Sequence, residues 1–254
     1  MGNREILGID FGGSGIKGAP VDTKKGKLLA ERHRIPTPSP SDIESVSGTI
    51  CQLIDYFGWK GPVGIGFPSV VMNGTIKTAA NIDKSWIGVN AQELLSKKTG
   101  LPVFIVNDAD AAGYAEMKFG AGRDVNGTVL LVTVGTGIGS VLFSGNRLVA
   151  NTELGHIFLD NGIEAESYAA DSVRETENMD WTEWGARFNK YLNELQKLFW
   201  PELIIIGGGV SKKPERYMPA LSINTEIKMA CLKNDAGIIG AALAARKALK
   251  RDDD

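Results

Sequence analysis

Two glycine loops carry the residue types that hold phosphate. Gly13-Ser14-Gly15-Ile16-Lys17-Gly18 follows the apolar run Ile6-Leu7-Gly8-Ile9, and Gly135-Thr136-Gly137-Ile138-Gly139-Ser140 follows Val129-Leu130-Leu131-Val132. Glycine lets backbone N–H groups approach an anion closely, and Ser or Thr adds a hydroxyl donor. The loops are near-copies in like surroundings, which points to duplicated halves gripping a phosphate chain and so to a phosphotransferase. Lys17 lies in the strand leaving the first loop, facing either the phosphates or solvent. Asp10 ends the strand ahead of it. An acid so close to a phosphate loop suits Mg2+, bound directly or through water; the alternative is a carboxylate that only closes the loop. Gly207-Gly208-Gly209 reads either as a nucleotide-approach loop or as a tight strand-to-helix turn.

Asp108 follows a short apolar strand and precedes a helix. A carboxylate there can take a proton from a substrate hydroxyl within hydrogen-bond reach. Its rival role is N-cap of the following helix, which Asp110 could fill instead. Glu153-Leu154-Gly155-His156 puts an acid and an imidazole in a polar turn, where both could hydrogen-bond sugar hydroxyls. The cluster is too sparse for zinc, which takes about four ligands. His33, between Arg32 and Arg34, reads as a surface residue.

The elements that must position these residues alternate. Strands are expected over 5–10, 15–22, 28–35, 63–68 and 103–106, with a hairpin turn at Asn73-Gly74. Helices are expected from 43 to 57, where apolar residues recur at helical spacing, and over 92–98, closed by Gly100. The second unit reads as a helix over 109–119, strands over 128–134 and 138–144, a long helix over 181–199, a buried strand over 203–206 and a last helix over 238–249. Trp184, Phe188, Tyr191, Leu192, Leu195 and Leu198 would share one face of the long helix. Strand–helix alternation implies an α/β fold. Ligands in such sheets sit beyond the carboxyl ends of strands, where the three glycine clusters and Asn107-Asp108 all fall, so they are expected to share one cleft.

The bulk numbers exclude little. The 254 residues are 43% hydrophobic and 23% charged, ordinary for a globular protein, and the net charge of −2 gives no reason to expect nucleic acid or membrane binding. A polyanionic substrate would need local basic patches, for which Lys24, Lys25 and Lys27, Arg32 and Arg34, and Lys212 and Lys213 are the candidates, although each cluster reads first as solvated surface. No apolar signal segment or membrane-length stretch is apparent. Cys51 and Cys231 read as small packed hydrophobes of a reduced, cytoplasmic protein. The residues from Lys250 onward read as a frayed tail.

Four motifs in order, Asp10 to Lys17, Asn107 to Ala111, Gly135 to Gly139 and Glu153 to His156, resemble the sugar kinases of the ROK (repressor, open reading frame, kinase) family. Gly207 to Ser211 resembles that family's nucleotide-side turn. Ala79-Ala80-Asn81-Ile82-Asp83-Lys84-Ser85-Trp86 looks most like the polyphosphate glucokinases and glucomannokinases within it, and Ile157 to Arg174 has no cysteine where many members carry a zinc motif. The resemblance implies the actin-like, ribonuclease H-like fold of two α/β domains with duplicated halves closing on a cleft. The domains would be 1–108, with helix 238–250 packing back on it, and 109–237. It implies phosphorylation of glucose at the 6-hydroxyl from polyphosphate, with ATP as a further donor, Mg2+ but no structural zinc, and a homodimer. Asp108 matches the catalytic base. Asn81, Asn107, Glu153, His156 and Glu166 match sugar-binding positions, Glu166 on a looser match. Asp10, Gly12, Gly13, Ser14, Gly15, Lys17, Gly135, Thr136 and Gly137 match the phosphate-binding motifs, and Gly207, Gly208 and Gly209 the nucleotide side. The alternatives are a strictly ATP-dependent glucokinase, a sugar-responsive repressor and a non-catalytic sugar-binding relative. The kinase pattern begins within the first ten residues, which argues against a repressor's preceding DNA-binding module. The retained Asp108 and both loops argue against a non-catalytic relative.

Overall fold

One strand order occurs twice. The computed structural model describes residues 4–160 and 162–252. They fall into two compact units, Met1–Ala115 with Asn234–Asp254, and Glu116–Lys233. The elements of the first run β1 (Glu5–Gly12), β2 (Gly15–Asp22), β3 (Lys27–Leu28), β4 (His33–Ile35), α1 (Ile43–Tyr56), β5 (Val63–Phe67), β6 (Val71–Met72), β7 (Thr75–Ile76), α2 (Ala91–Thr99), β8 (Val103–Asn107) and α3 (Asp108–Phe119). The second unit opens inside α3 and continues through β9 (Thr128–Val134), β10 (Ile138–Ser144), β11 (Arg147–Val149), α4 (Ala165–Ala169), α5 (Asp171–Thr176), α6 (Trp181–Phe199), β12 (Leu203–Gly208) and β13 (Glu226–Met229). Helix α7 (Ala236–Asp252) returns to the first.

The first sheet has the order β3-β2-β1-β5-β8, with β4 also on β2; the second has β11-β10-β9-β12-β13. Position by position, the orders and directions agree. Three strands meander antiparallel, and the central strand then continues through two parallel neighbours. Both expected glycine loops are the first hairpin of that meander. Gly12 opposes Gly15, leaving Gly13-Ser14 as the turn. Val134 opposes Ile138, leaving the three residues 135–137.

In the first unit, Leu7, Ile9, Val63 and Ile65 pack with Val46, Ile50 and Leu53 of α1 and with Phe11, Phe67 and Trp86. Helix α7 covers the same strands at very short range. A Cβ on Gly8 would collide with the Ile238 carbonyl, and one on Gly64 with the Ala241 carbonyl. In the second unit, Leu130, Val132, Ile204 and Ile206 meet Trp184, Phe188, Tyr191, Leu192 and Leu195 of α6. Glu116 is fully buried there. Its Oε2 accepts from the N–H groups of Ala121 (2.9 Å) and Cys231 (3.1 Å), and its Oε1 from that of Leu232 (2.8 Å).

Several local expectations need correction. The single strand over 28–35 is two short strands, because four exposed residues, 29–32, stand against Ala19 and Pro20 of β2, and proline has no N–H to continue the ladder. Leu198 lies in the last turn of α6, at the margin of the apolar stripe, and is exposed. Cys231 is also exposed and Cys51 half-buried, so neither is a fully packed hydrophobe. Helix α7 runs from Ala236 to Asp252, without the break foreseen at Lys250. Strand β13 went unforeseen: its four residues, Glu-Ile-Lys-Met, alternate polar and apolar at a sheet edge and leave too short a pattern to read.

Candidate active site

The chemistry of the first unit gathers at the carboxyl ends of its parallel strands. Asp10 on β1 is level with Gly66 on β5, and Gly66 with Val106 on β8, two residues before Asp108. Two strand spacings separate β1 from β8, roughly 10 Å. The start of α3 lies against β5, with Asp108 Cα 3.4 Å from where a Cβ on Gly66 would stand. The cap of α3 is neither of the two aspartates weighed from sequence. Asn107 Oδ1 accepts from the Asp110 N–H (2.9 Å), the N-cap geometry, while its Nδ2 donates to the Ser69 carbonyl (3.1 Å). Asp108 is the first helical residue, half-buried, with Oδ1 accepting from the Ala109 N–H (2.8 Å). Capping therefore does not require the Asp108 carboxylate. Buried Asn107 keeps one amide hydrogen beyond these two bonds. Asn81 is exposed, just before the 3-10 turn Lys84–Trp86. Ser41 anchors that turn, its hydroxyl accepting from the Asp83 N–H (3.2 Å) and its carbonyl from Trp86 Nε1 (3.0 Å).

The first glycine loop is held from outside itself. Lys17 faces Asp10 across the hairpin, Nζ to Oδ2 at 3.0 Å, so its ammonium lies on the carboxylate. Asp10 also touches the opening turn of α7, where a Cβ on Gly237 would fall 2.6 Å from its Oδ2. Arg34 on β4 lies over the loop. Its Nη2 donates to the Ser14 carbonyl and reaches Ser14 Oγ at 3.4 Å, and only a glycine at 15 leaves room for the guanidinium. Thr37 Oγ1 donates to the Gly12 carbonyl (2.6 Å). Arg32 pairs with Asp235 at 2.9 Å, whereas Arg34 forms no salt bridge among the described residues.

The second unit assembles its set at the carboxyl ends of β9 and β12. Glu166 Oε2 accepts from the Ile138 N–H (2.7 Å), and a Cβ on Gly137 would collide with that carboxylate. Ser172 adds two clamps, its N–H to the Gly135 carbonyl (3.2 Å) and its Oγ to the Thr136 carbonyl (2.6 Å). Gly207 and Gly208 stand opposite Thr133 and Val134, so the third glycine cluster adjoins the second loop. Gly208 has φ +77°, and a Cβ there would strike the Val134 backbone, which makes glycine a requirement.

Glu153 precedes the 3-10 turn Leu154–His156 and His156 ends it, with His156 Nε2 3.7 Å from Glu153 Oε2. His156 Nδ1 lies 2.6 Å from Glu164 Oε1. That bond raises the imidazole pKa against the opposing effect of desolvation, and the charges of Glu164, Glu166 and Glu153 add to it. Glu164 is held below the usual carboxylate range by His156 and Ser167. Partial desolvation pushes Glu153 up, with His156 opposing and Glu166 reinforcing.

Sequence marks Arg34 only as part of a basic cluster, solvated surface or polyanion patch, with nothing to assign it to the first glycine loop, and gives Thr37, Glu164 and Ser172 no mark at all. None carries a local signal, because each reaches its partner through a turn of the chain. No three His, Cys, Asp or Glu side chains among the described residues are grouped to hold a metal ion. No helix among the described residues is long and apolar enough to cross a membrane.

Comparison with known proteins gives the family. A match to the ROK family spans residues 6–168. A polyphosphate glucokinase of Mycobacterium tuberculosis is 45% identical over 242 residues, covering 95% of this chain and 91% of its own. The crystal structure of an inorganic polyphosphate/ATP-glucomannokinase from Arthrobacter sp. strain KM superimposes with TM-score 0.91 at 45% identity, covering 97% of this chain and 99% of that one. A ROK family glucokinase from Streptomyces griseus, in complex with glucose and AMPPNP, gives 0.82 at 25% identity over 96% and 99%. The fold is the actin-like two-domain α/β fold of these kinases, and the repeated strand order is its duplication. The chain belongs to the ROK family.

Proposed function

We propose that this chain phosphorylates glucose at the 6-hydroxyl with inorganic polyphosphate, and that ATP serves as a second donor. The observation that carries the reading is Asp108. It leaves the carboxyl end of β8 with helix α3 already capped by Asn107, and a phosphate-type glycine hairpin joins β1 to β2 in the same sheet. The Mycobacterium tuberculosis and Arthrobacter relatives support the donor by their names, and the latter is named for both donors.

In this reading Asn81, Asn107, Glu153, His156 and Glu166 bind the sugar and Asp108 accepts the proton of its 6-hydroxyl. The hydroxyl oxygen attacks the terminal phosphorus. The bond from that phosphorus to the bridging oxygen breaks, and the donor leaves one phosphate shorter. Gly12, Gly13, Ser14, Gly15 and Lys17, with Gly135, Thr136 and Gly137, hold the phosphates. Such preorganised donors do most of the work in phosphoryl transfer. Arg34 adds a guanidinium on the Ser14 turn, and with no salt bridge among the described residues it favours a polyanion as its partner. Gly207, Gly208 and Gly209 take the nucleotide side when ATP is the donor. The residues fit Mg2+ held mainly by donor phosphates: one acid, Asp10, stands at the loop, and it shares its charge with Lys17. Bound Mg2+ would neutralise charge on the phosphate oxygens. A homodimer in the cytoplasm completes the proposal; light scattering tests the first part, expecting twice the 27.2 kDa chain mass.

The deciding experiment measures glucose 6-phosphate formation with long-chain polyphosphate free of nucleotide, and separately with ATP, both with excess Mg2+. Turnover with polyphosphate supports the reading. Turnover with ATP alone makes the chain an ATP-dependent glucokinase.

A further inference from the structure

The segment after His156 doubles back on itself. The Leu159 N–H donates to the Ile163 carbonyl (2.9 Å), the Gly162 N–H to the Leu159 carbonyl (2.8 Å) and the Ala165 N–H to the Ile157 carbonyl (2.9 Å). Phe158 and Glu164 form the bridge between the two arms, and Leu159 and Ala165 are buried beneath them. This reversal returns Glu164, eight residues on, to the imidazole. Both carboxylate oxygens are then engaged. Oε1 meets His156 Nδ1 at 2.6 Å, and Oε2 accepts from Ser167 Oγ at 3.1 Å.

We propose that Glu164 is the positioning residue of the sugar site: it fixes the His156 ring by Nδ1 and so reserves Nε2 for a sugar hydroxyl. The inference rests on the reading of His156 as a sugar-binding residue. An imidazole with one nitrogen on a fixed carboxylate has a defined orientation and a defined tautomer. The Nδ1–H stays on Glu164 whether the ring is charged or neutral. Nε2 therefore donates to a sugar oxygen in the charged ring and accepts from a hydroxyl in the neutral one. Three carboxylates face the ring: Glu164 and Glu166 from the α4 region, and Glu153 from the preceding turn. Of these, Glu164 alone is within hydrogen-bond distance, since Glu153 Oε2 stands 3.7 Å from Nε2. The short helix α4 thus serves two ends, with Glu164 at its cap on the histidine and Glu166 in its first turn on the second glycine loop.

The test uses Glu164→Ala and Glu164→Gln in the full chain. The protein has two histidines, so proton NMR of the ring C–H groups resolves His156 from His33, with His33→Asn as the assignment control. Glu164→Gln keeps an acceptor and removes the charge. Its His156 midpoint is expected to fall below that of wild type, because the charge that raises it is gone. Glu164→Ala is expected to raise KM for glucose at least tenfold, with KM for the phosphoryl donor within twofold of wild type and Glu164→Gln intermediate. An unmoved His156 midpoint in folded Glu164→Gln, or an unchanged glucose KM in folded Glu164→Ala, overturns the proposal. A donor KM that rises in step with that for glucose also overturns it, because that is the mark of a merely structural role. If the wild-type protein fails to phosphorylate glucose, the functional reading falls; the titration still reports whether Glu164 governs the ring.

Discussion

The Ile138 N–H donates to Glu166 Oε2 at 2.7 Å, so a carboxylate proposed to bind sugar is also the anchor of the second glycine loop. Glu166→Ala removes both roles at once and is expected to raise KM for glucose and for the phosphoryl donor together, each by tenfold or more. Glu166→Gln retains an oxygen for the Ile138 N–H, so its donor KM should stay near wild type while that for glucose rises. Steady-state kinetics varying each substrate in turn separates the two patterns.

Asp108→Asn should abolish most turnover without unfolding the chain. A positioned acid–base group contributes about 10²–10⁴-fold, and kcat should fall by at least the lower figure. Asn107 holds the cap of α3, so the variant's thermal midpoint is expected within a few degrees of wild type. Near-normal kcat in a folded Asp108→Asn protein would remove Asp108 as the base.

Arg34→Met tests the guanidinium on the Ser14 turn. KM for polyphosphate should rise about tenfold, KM for glucose should not move, and the dependence of donor KM on salt should weaken, because fewer counter-ions are exchanged. Arg34→Lys restores the charge without the planar fork and should recover part of the loss. Equal salt dependence in wild type and Arg34→Met would show that the residue only braces the turn.

Gly64→Ala probes the seat of α7. Its new methyl group would meet the Ala241 carbonyl, a backbone atom that cannot rotate away. Overpacking of a core costs typically about 1–3 kcal/mol, and a backbone clash belongs at the upper end. Urea unfolding should show the loss as a lower midpoint at unchanged slope. A midpoint equal to wild type would mean that the helix shifts freely on the sheet.

The His156–Glu164 pair sets a pH dependence with a definite sign. The folded His156 pKa is raised, so its contribution is complete below the ordinary histidine value and is lost as pH climbs through the raised one. The folded Glu164 pKa is lowered, so its contribution is present above the ordinary carboxylate value and is lost as pH falls through the depressed one. The difference in thermal midpoint between wild type and Glu164→Gln should be largest between these limits and should shrink toward either side. A difference that is constant from pH 3 to pH 9 would exclude the ion pair as its source.

The two glycine loops, Asp108 and the Glu153–His156 turn were legible because their chemistry is written in contiguous residues. A glycine after a β-run, or an acid between strand and helix, constrains the backbone where it stands. Asn107 shows the limit of that reading. Sequence offered two aspartates as caps, and the register of β8 gave the cap to the residue before both. Arg34 and Glu164 mark a further limit. The first reaches its loop only because β4 pairs with β2 beside the hairpin, and the second reaches His156 only because Phe158 bridges Glu164. Charges on such segments look like ordinary solvated residues until the pairing is known. Strand 28–35 failed for a related reason, since the interruption is imposed by Pro20 on the opposite strand and not by the segment itself.

The hairpins that open the two sheets occupy the same place in the same strand order, yet the charged side chains bonded to them have opposite sign: Arg34 on the Ser14 carbonyl and Glu166 on the Ile138 N–H. Copying a hairpin doubles its shape but leaves each copy free to acquire its own electrostatics. The first carries a guanidinium on its turn. The second has surrendered the Ile138 N–H to a carboxylate and has grown one residue longer in its turn. The symmetry of the backbone therefore hides a division of labour. In the proposed site one copy would draw an anion in, while the other ties the position of a carboxylate to the shape of a loop.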